Sequence, residues 1–245
     1  MARAVAGFLM MMLAALASAP LKAADETKSR TTTKHVFAVA WQPGFCQTRR
    51  TRVECTDPNA AWRGRDAFSL HGLWQMRKSY CGIDAERGKA LRKAKWTALP
   101  PIVLSDEMRR RLDVAMPGTV SGLDRHQWLR NGTCHSATAE DYYRRSLDML
   151  DRINASGLPA LFAGKAGGDV TIAEVRQAFD TAFGAGAGDR VRLSCRKVDG
   201  KPVVTGLTIG LGSVDAETPF GDLILAAGKT ESKCKTGRVV LRDGV

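Results

Sequence analysis

Four histidines, His35, His71, His126 and His135, are the side chains of this sequence best suited to exchange a proton near neutral pH. Two of them stand in stretches able to build a site. In "FSLHGLW" (68–74), His71 is followed by Gly72, which leaves the imidazole little steric cover against a ligand. In "DRHQWLRNGTC" (124–134), His126 and Arg130 are spaced i,i+4 and so share one helical face, where two donors can grip one phosphate. Taken singly, each feature also fits a structural histidine or a solvated helix face. Taken together they ask for phosphoryl chemistry. Cleaving RNA without a metal needs one group to remove the ribose 2′-hydroxyl proton and another to protonate the departing 5′-oxygen. It also needs donors or cations for the charge building on the phosphate.

The elements that must position these residues follow from pattern. "HVFAVAW" (35–41) is β-branched and aromatic and stops at Pro43-Gly44, which predicts a buried strand. Residues 47–66 are charged and polar and predict a loop tied off by Cys46 and Cys55. "AFSLHGLW" (67–74) predicts a second strand running into a glycine turn, and 75–104 reads as irregular. In "SDEMRRRLDVAMPG" (105–118), Ser105 is the N-cap, acids fill the first turn, and Pro117-Gly118 is the stop. "LDRHQWLRNG" (123–132) predicts a short helix ending at Gly132. "AEDYYRRSLDMLDRINASG" (139–157) predicts an amphipathic helix with Tyr143, Leu147 and Leu150 on one face. "TIAEVRQAFDTAFG" (171–184) opens with a capping box from Thr171 to Glu174. Strands are then expected at 190–195, 203–211 and 238–242. This is one α+β domain, 35–245.

The composition sets the setting. The chain has 245 residues, enough for a sizeable core, and 44% hydrophobic content marks a soluble globular protein. Residues 1–23 read as a secretory signal peptide: Arg3, an apolar run from Ala4 to about Ala17, then small residues. Cleavage after Ala19 or after Ala23 fits the pattern. Residues 24–34 are polar and predict a disordered leader. Export to an exterior or periplasm agrees with six cysteines, Cys46, Cys55, Cys81, Cys134, Cys195 and Cys234, none in a C-x-x-C pair and none at zinc-finger spacing. Three disulfides are the plain reading, and 15 pairings are open to six cysteines. No metal and no cofactor is expected, nor any membrane span after signal cleavage. The net charge of +12, about +10 without Arg3 and Lys22, gathers in 47–52, 90–95 and 108–113 and favours a polyanionic partner.

The paired stretches "HGLWQ" and "HQWLRNGTC" resemble the two active-site segments of the ribonuclease T2 family, typically H-G-L-W-P and H-E-W-x-K-H-G-T-C. "VFAVAWQPGFC", "RVRLSCR" and "KCKTG" are similar to that family's opening strand and its last disulfide-bearing strand and loop, so the resemblance spans most of 35–240. It implies an α+β fold around a central antiparallel sheet with flanking helices, stapled by Cys46–Cys55, Cys81–Cys134 and Cys195–Cys234. It implies a secreted or periplasmic, metal-independent endoribonuclease, monomeric, that cleaves single-stranded RNA through a 2′,3′-cyclic phosphate. By position His71 matches one acid–base histidine, Trp74 the aromatic that stacks on a base, and His126 the histidine that stabilises the phosphate.

The departures fall inside the second segment. Asn131 stands where the second acid–base histidine is expected, Gln127 replaces the Glu, and Arg130 replaces the Lys. Arg130 keeps the charge, Gln127 keeps only hydrogen bonding, and Asn131 cannot trade a proton. Losing one general acid or base typically costs about 10²–10⁴ in rate, so turnover is expected to be reduced. Two histidines are candidates to fill the role, His126 and His135. The alternative is a catalytically inactive relative that binds RNA or a protein.

Overall fold

A computed structural model of the chain describes residues 1–2, 32–58, 60, 62, 66–215 and 217–240. The expected signal peptide, apart from Met1 and Ala2, lies outside the described residues. So do most of the leader and the end of the last expected strand. In chain order the first elements are β1 (His35–Ala40), α1 (Gln42–Thr48), α2 (Val53–Thr56), β2 (Ser69–Gln75), α3 (Ala85–Lys93), α4 (Asp106–Ala115) and α5 (Leu123–Arg130). They are followed by α6 (Ala139–Asn154), α7 (Leu158–Gly164), β3 (Asp169–Thr171), α8 (Ile172–Phe183), β4 (Val191–Val198), β5 (Lys201–Leu211), α9 (Phe220–Leu225) and β6 (Thr236–Arg238).

The long apolar strand β5 is the centre of an α+β sheet. Along one side it pairs antiparallel with β4, and along its C-terminal half it pairs with β1, which in turn pairs with β2. β6 touches β5 in parallel at Val203↔Arg238 and carries β3 on its outer side. The expected antiparallel sheet is therefore mixed at one edge. Helices cover the sheet with the faces that periodicity predicts: Tyr143, Leu147 and Leu150 of α6 are buried, each such side chain adding about 1.5–3 kcal/mol. Ser105 accepts from the Met108 N–H, and the Thr171–Glu174 capping box is formed.

Two expectations fail for local reasons. The loop predicted at 47–66 is preceded and interrupted by helix. Pro43 ends the strand and also sits in the first turn of α1, where its fixed φ favours a helix start. Thr48 closes α1, and α2 follows within the loop bridged by Cys46–Cys55. The region read as irregular contains α3, capped by Asp84 accepting from the Arg87 N–H. Its only buried residue is Gly88, so it carries no apolar stripe to betray it. The other two implied disulfides, Cys81–Cys134 and Cys195–Cys234, are also formed. Among the described residues no helix is long and apolar enough to cross a membrane.

The strand bearing His71 is an edge strand, and α6 covers its free side. Tyr142 donates its hydroxyl to the Leu73 carbonyl at 2.8 Å and accepts the Leu73 N–H at 3.1 Å. Asn154 does the same further along, bonding both backbone groups of Phe68. Tyr142→Phe strands both groups of Leu73 in a fully buried site. It is expected to cost about 1–3 kcal/mol, read as a lower denaturant midpoint at unchanged slope.

Of the three basic clusters, 108–113 is spent on the fold. Arg109 meets the buried Asp124 at 2.8 Å, bolting α4 to the first turn of α5. Arg111 meets Asp151 at 2.6 Å and Asp148 at 3.3 Å on α6. The cluster at 47–52 lies elsewhere, at the cleft described next.

Candidate active site

The register of β1 against β2 slips once: Ala38 faces Gly72, but Val39 faces Leu70. His71 is the extra residue, a β-bulge, and a bulge re-aims the side chain that carries it. The strand does not turn at Gly72 as expected but runs on to Gln75. Gly72 serves a different purpose from opening His71 to a ligand. A Cβ there would lie 2.5 Å from Gln127 Oε1 and 2.7 Å from its Cδ, so the missing side chain lets α5 pack directly behind the strand.

Helix α5 carries the second segment. Gln127 and Asn131 are buried, and His126 is half-buried while Arg130 is exposed on the same face. Gln127 Oε1 accepts two hydrogen bonds, from Trp74 Nε1 at 3.0 Å and from Asn131 Nδ2 at 2.7 Å. Trp74, Gln127 and Asn131 thus form one neutral chain that ties the tryptophan on β2 to the end of α5. The Cys81–Cys134 bridge and the Tyr80 N–H donated to the Arg130 carbonyl tie the turn after Trp74 to the same place.

His71 lies edge-on to Trp74, ring centres 5.9 Å apart. Burial lowers its pKa from the ordinary 6.5. His126 is lowered to about 4 by burial first, then by the positive charges of Arg130 and of His71. The two imidazoles are therefore electrostatic neighbours. His126 also stacks on Trp96, ring centres 4.5 Å apart and planes 21° from parallel. The guanidinium of Arg52 lies 5.2 Å from the centre of that indole.

His71, Trp74 and Trp96 face a cleft of about 540 Å³ laid over the sheet residues of β1, β4 and β5. Arg49, Arg52, Arg196 and Lys233 bring positive charge to its walls. These cations and Trp96 were not singled out by residue from sequence. The 47–52 cluster signalled two of them, whereas Trp96 sat unmarked in a stretch read as irregular. His135 is not at this cleft. It packs against His35 at 5.2 Å and against Tyr142 at 6.3 Å. His35 pairs with Gln75 at the other end of β2, four residues or about 13 Å along the strand from His71.

The arrangement joins two depressed imidazoles, an aromatic wall and a cationic rim, which is a surface suited to bind and act on a phosphodiester with its bases. Comparison with known proteins agrees. The family model "Ribonuclease T2 family" matches residues 32–216. Ribonuclease I of Escherichia coli (strain K12) is 26% identical over 186 residues, covering 66% of this chain and 69% of that protein. Intracellular ribonuclease LX of Solanum lycopersicum is 28% identical over 131 residues, 50% of this chain and 52% of that one. The fold is similar to that of the self-incompatibility associated SF11-RNase of Nicotiana alata, with a TM-score of 0.55 over 85% of this chain and all of the other, at 15% identity. With both motif segments inside the matched region and the fold shared, the chain belongs to the ribonuclease T2 family and is a T2-type ribonuclease.

Proposed function

We propose that the protein cleaves single-stranded RNA without a metal, by transphosphorylation through a 2′,3′-cyclic phosphate, with His71 and His126 as its proton-transfer pair. The observation that carries this reading is a cleft lined by His71, Trp74, Trp96 and cations, with His126 stacked on the Trp96 that forms its wall. One imidazole removes the 2′-hydroxyl proton while the other protonates the 5′-oxygen. Hydrolysis of the cyclic ester reverses those roles. Arg130 supplies charge to the phosphate, and Trp74 offers a stacking surface worth about 1–3 kcal/mol per base. Gln127 and Asn131 hold Trp74 and the end of α5 in place. We further propose that residues 1–23 are removed as a signal peptide and that the mature single domain, 35–245 behind a short leader, works as a monomer outside the cell or in a periplasm.

Acid–base work by such a pair needs one imidazole protonated and the other neutral. Both pKa values lie below 6.5, so the singly protonated pair is scarce at neutral pH and accumulates as pH falls. With His126 near 4, kcat/KM is expected to peak between about 4 and 6.5 and to decline on either side. The test is cleavage of a single-stranded oligonucleotide in EDTA across that range, with His71→Ala beside the wild type. A cyclic phosphate end and silence of His71→Ala support the reading. No cleavage at any pH would leave the neutral Asn131 as the mark of an RNA-binding relative that has lost turnover.

A further inference from the structure

A second groove of about 450 Å³ borders the catalytic cleft, separated from it by the Arg52–Trp96 stack that both share. One wall carries Lys93 and Lys95, both exposed and from the 90–95 cluster that charge alone had flagged. The other carries Val53 and Val120, each 58% exposed, an unusual outlay of apolar surface beside so many cations. Among the described residues no carboxylate lines it. The nearby Glu54 is buried, and its carboxylate is taken by the Ser121 hydroxyl. Among the described residues, Lys93 and Lys95 meet no acidic partner. Arg109 and Arg111 of the 108–113 cluster do.

We infer that this groove binds RNA beyond the cleaved linkage, with Lys93 and Lys95 on the flanking phosphates and a flanking base against Val53 and Val120. The inference rests on the ribonuclease reading above. Free cations beside an exposed apolar wall match one nucleotide unit, charged on one side and flat and apolar on the other. Continuity across Trp96 lets a single strand run from the cleft into the groove. The lysines sit outside the reacting centre, so they act on long substrates and leave the chemical step alone.

The experiment compares wild type with the Lys93→Ala, Lys95→Ala double variant on a dinucleotide and on a single-stranded decanucleotide. The decanucleotide kcat/KM is expected to fall about tenfold. Its salt dependence should become shallower by about 1 to 1.5 in log–log slope, as for two lost phosphate contacts. The dinucleotide rate should be unchanged, which also shows the variant to be folded. Equal losses on both substrates, or none on either, overturn the inference. If wild type cleaves neither, the ribonuclease reading fails. Anisotropy with a 2′-deoxy decanucleotide then decides the groove: tenfold weaker binding in the variant sustains it, and unchanged binding refutes it.

Discussion

Alanine in place of His126 is expected to lower kcat/KM on single-stranded RNA by about 10²–10⁴, whereas His135→Ala leaves it close to wild type. The T2 pattern would cast His126 as a phosphate-stabilising donor and leave the second proton to a histidine at 131. Here Asn131 cannot carry a proton, and His135 packs at the far end of β2 against His35. His126 alone feels the charge of His71 and stands on the face of α5 that Arg130 shares. Stacking on Trp96 fixes its ring plane at the cleft wall. If His126 only bound phosphate, its loss would raise KM and leave both limbs of the pH profile in place. If it transfers a proton, kcat falls and one limb disappears. A pH series of kcat on the His126→Ala variant separates the two.

The second large effect concerns repair of the site. Asn131→His alone is expected to recover little activity, while Asn131→His with Gln127→Glu is expected to raise kcat/KM by about 10² or more. The reason is the 2.7 Å bond between the two side chains. In the family pattern these positions are Glu and His. In this chain both are amides, joined by a neutral hydrogen bond. A lone histidine at 131 would enter a buried site facing a neutral oxygen, with Arg130 and His126 nearby. Burial and like charge both keep an imidazole unprotonated there. A carboxylate at 127 changes that balance, because a bond to an ionised partner is roughly twice as strong as a neutral one. Gln127 Oε1 also holds Trp74, and Glu preserves that acceptor. The measurement is kcat/KM for both single variants and the double. Full recovery by Asn131→His alone would show that the amide pair imposes no constraint.

What could be read in advance was local. Ser105, the Thr171–Glu174 box and the apolar stripe of α6 declare themselves within a turn or two, and each formed where expected. The two histidine segments were legible because each packs its residues into a few consecutive positions. Features made by contact between distant segments were not. The bulge at His71 exists only in the register of β1 against β2. Trp96 joins the site by meeting His126 across two helices and a long connection. Gly72 looked like an opening for a ligand and proved to be the space Gln127 fills. Charge counts marked three basic clusters alike, but only the fold shows that Arg109 and Arg111 have carboxylates waiting for them. α3 went unread because a helix with no apolar stripe leaves no period.

Each of the three disulfides borders the place where RNA would lie. Cys46–Cys55 brackets the segment bearing Arg49 and Arg52, Cys81–Cys134 pins the turn after Trp74 to the end of α5, and Cys195 and Cys234 sit in the cleft wall beside Arg196 and Lys233. A newly made chain in a reducing cytosol would have none of these walls braced. If the protein works as proposed, the cleft in which it cuts RNA would gain this bracing only on oxidation.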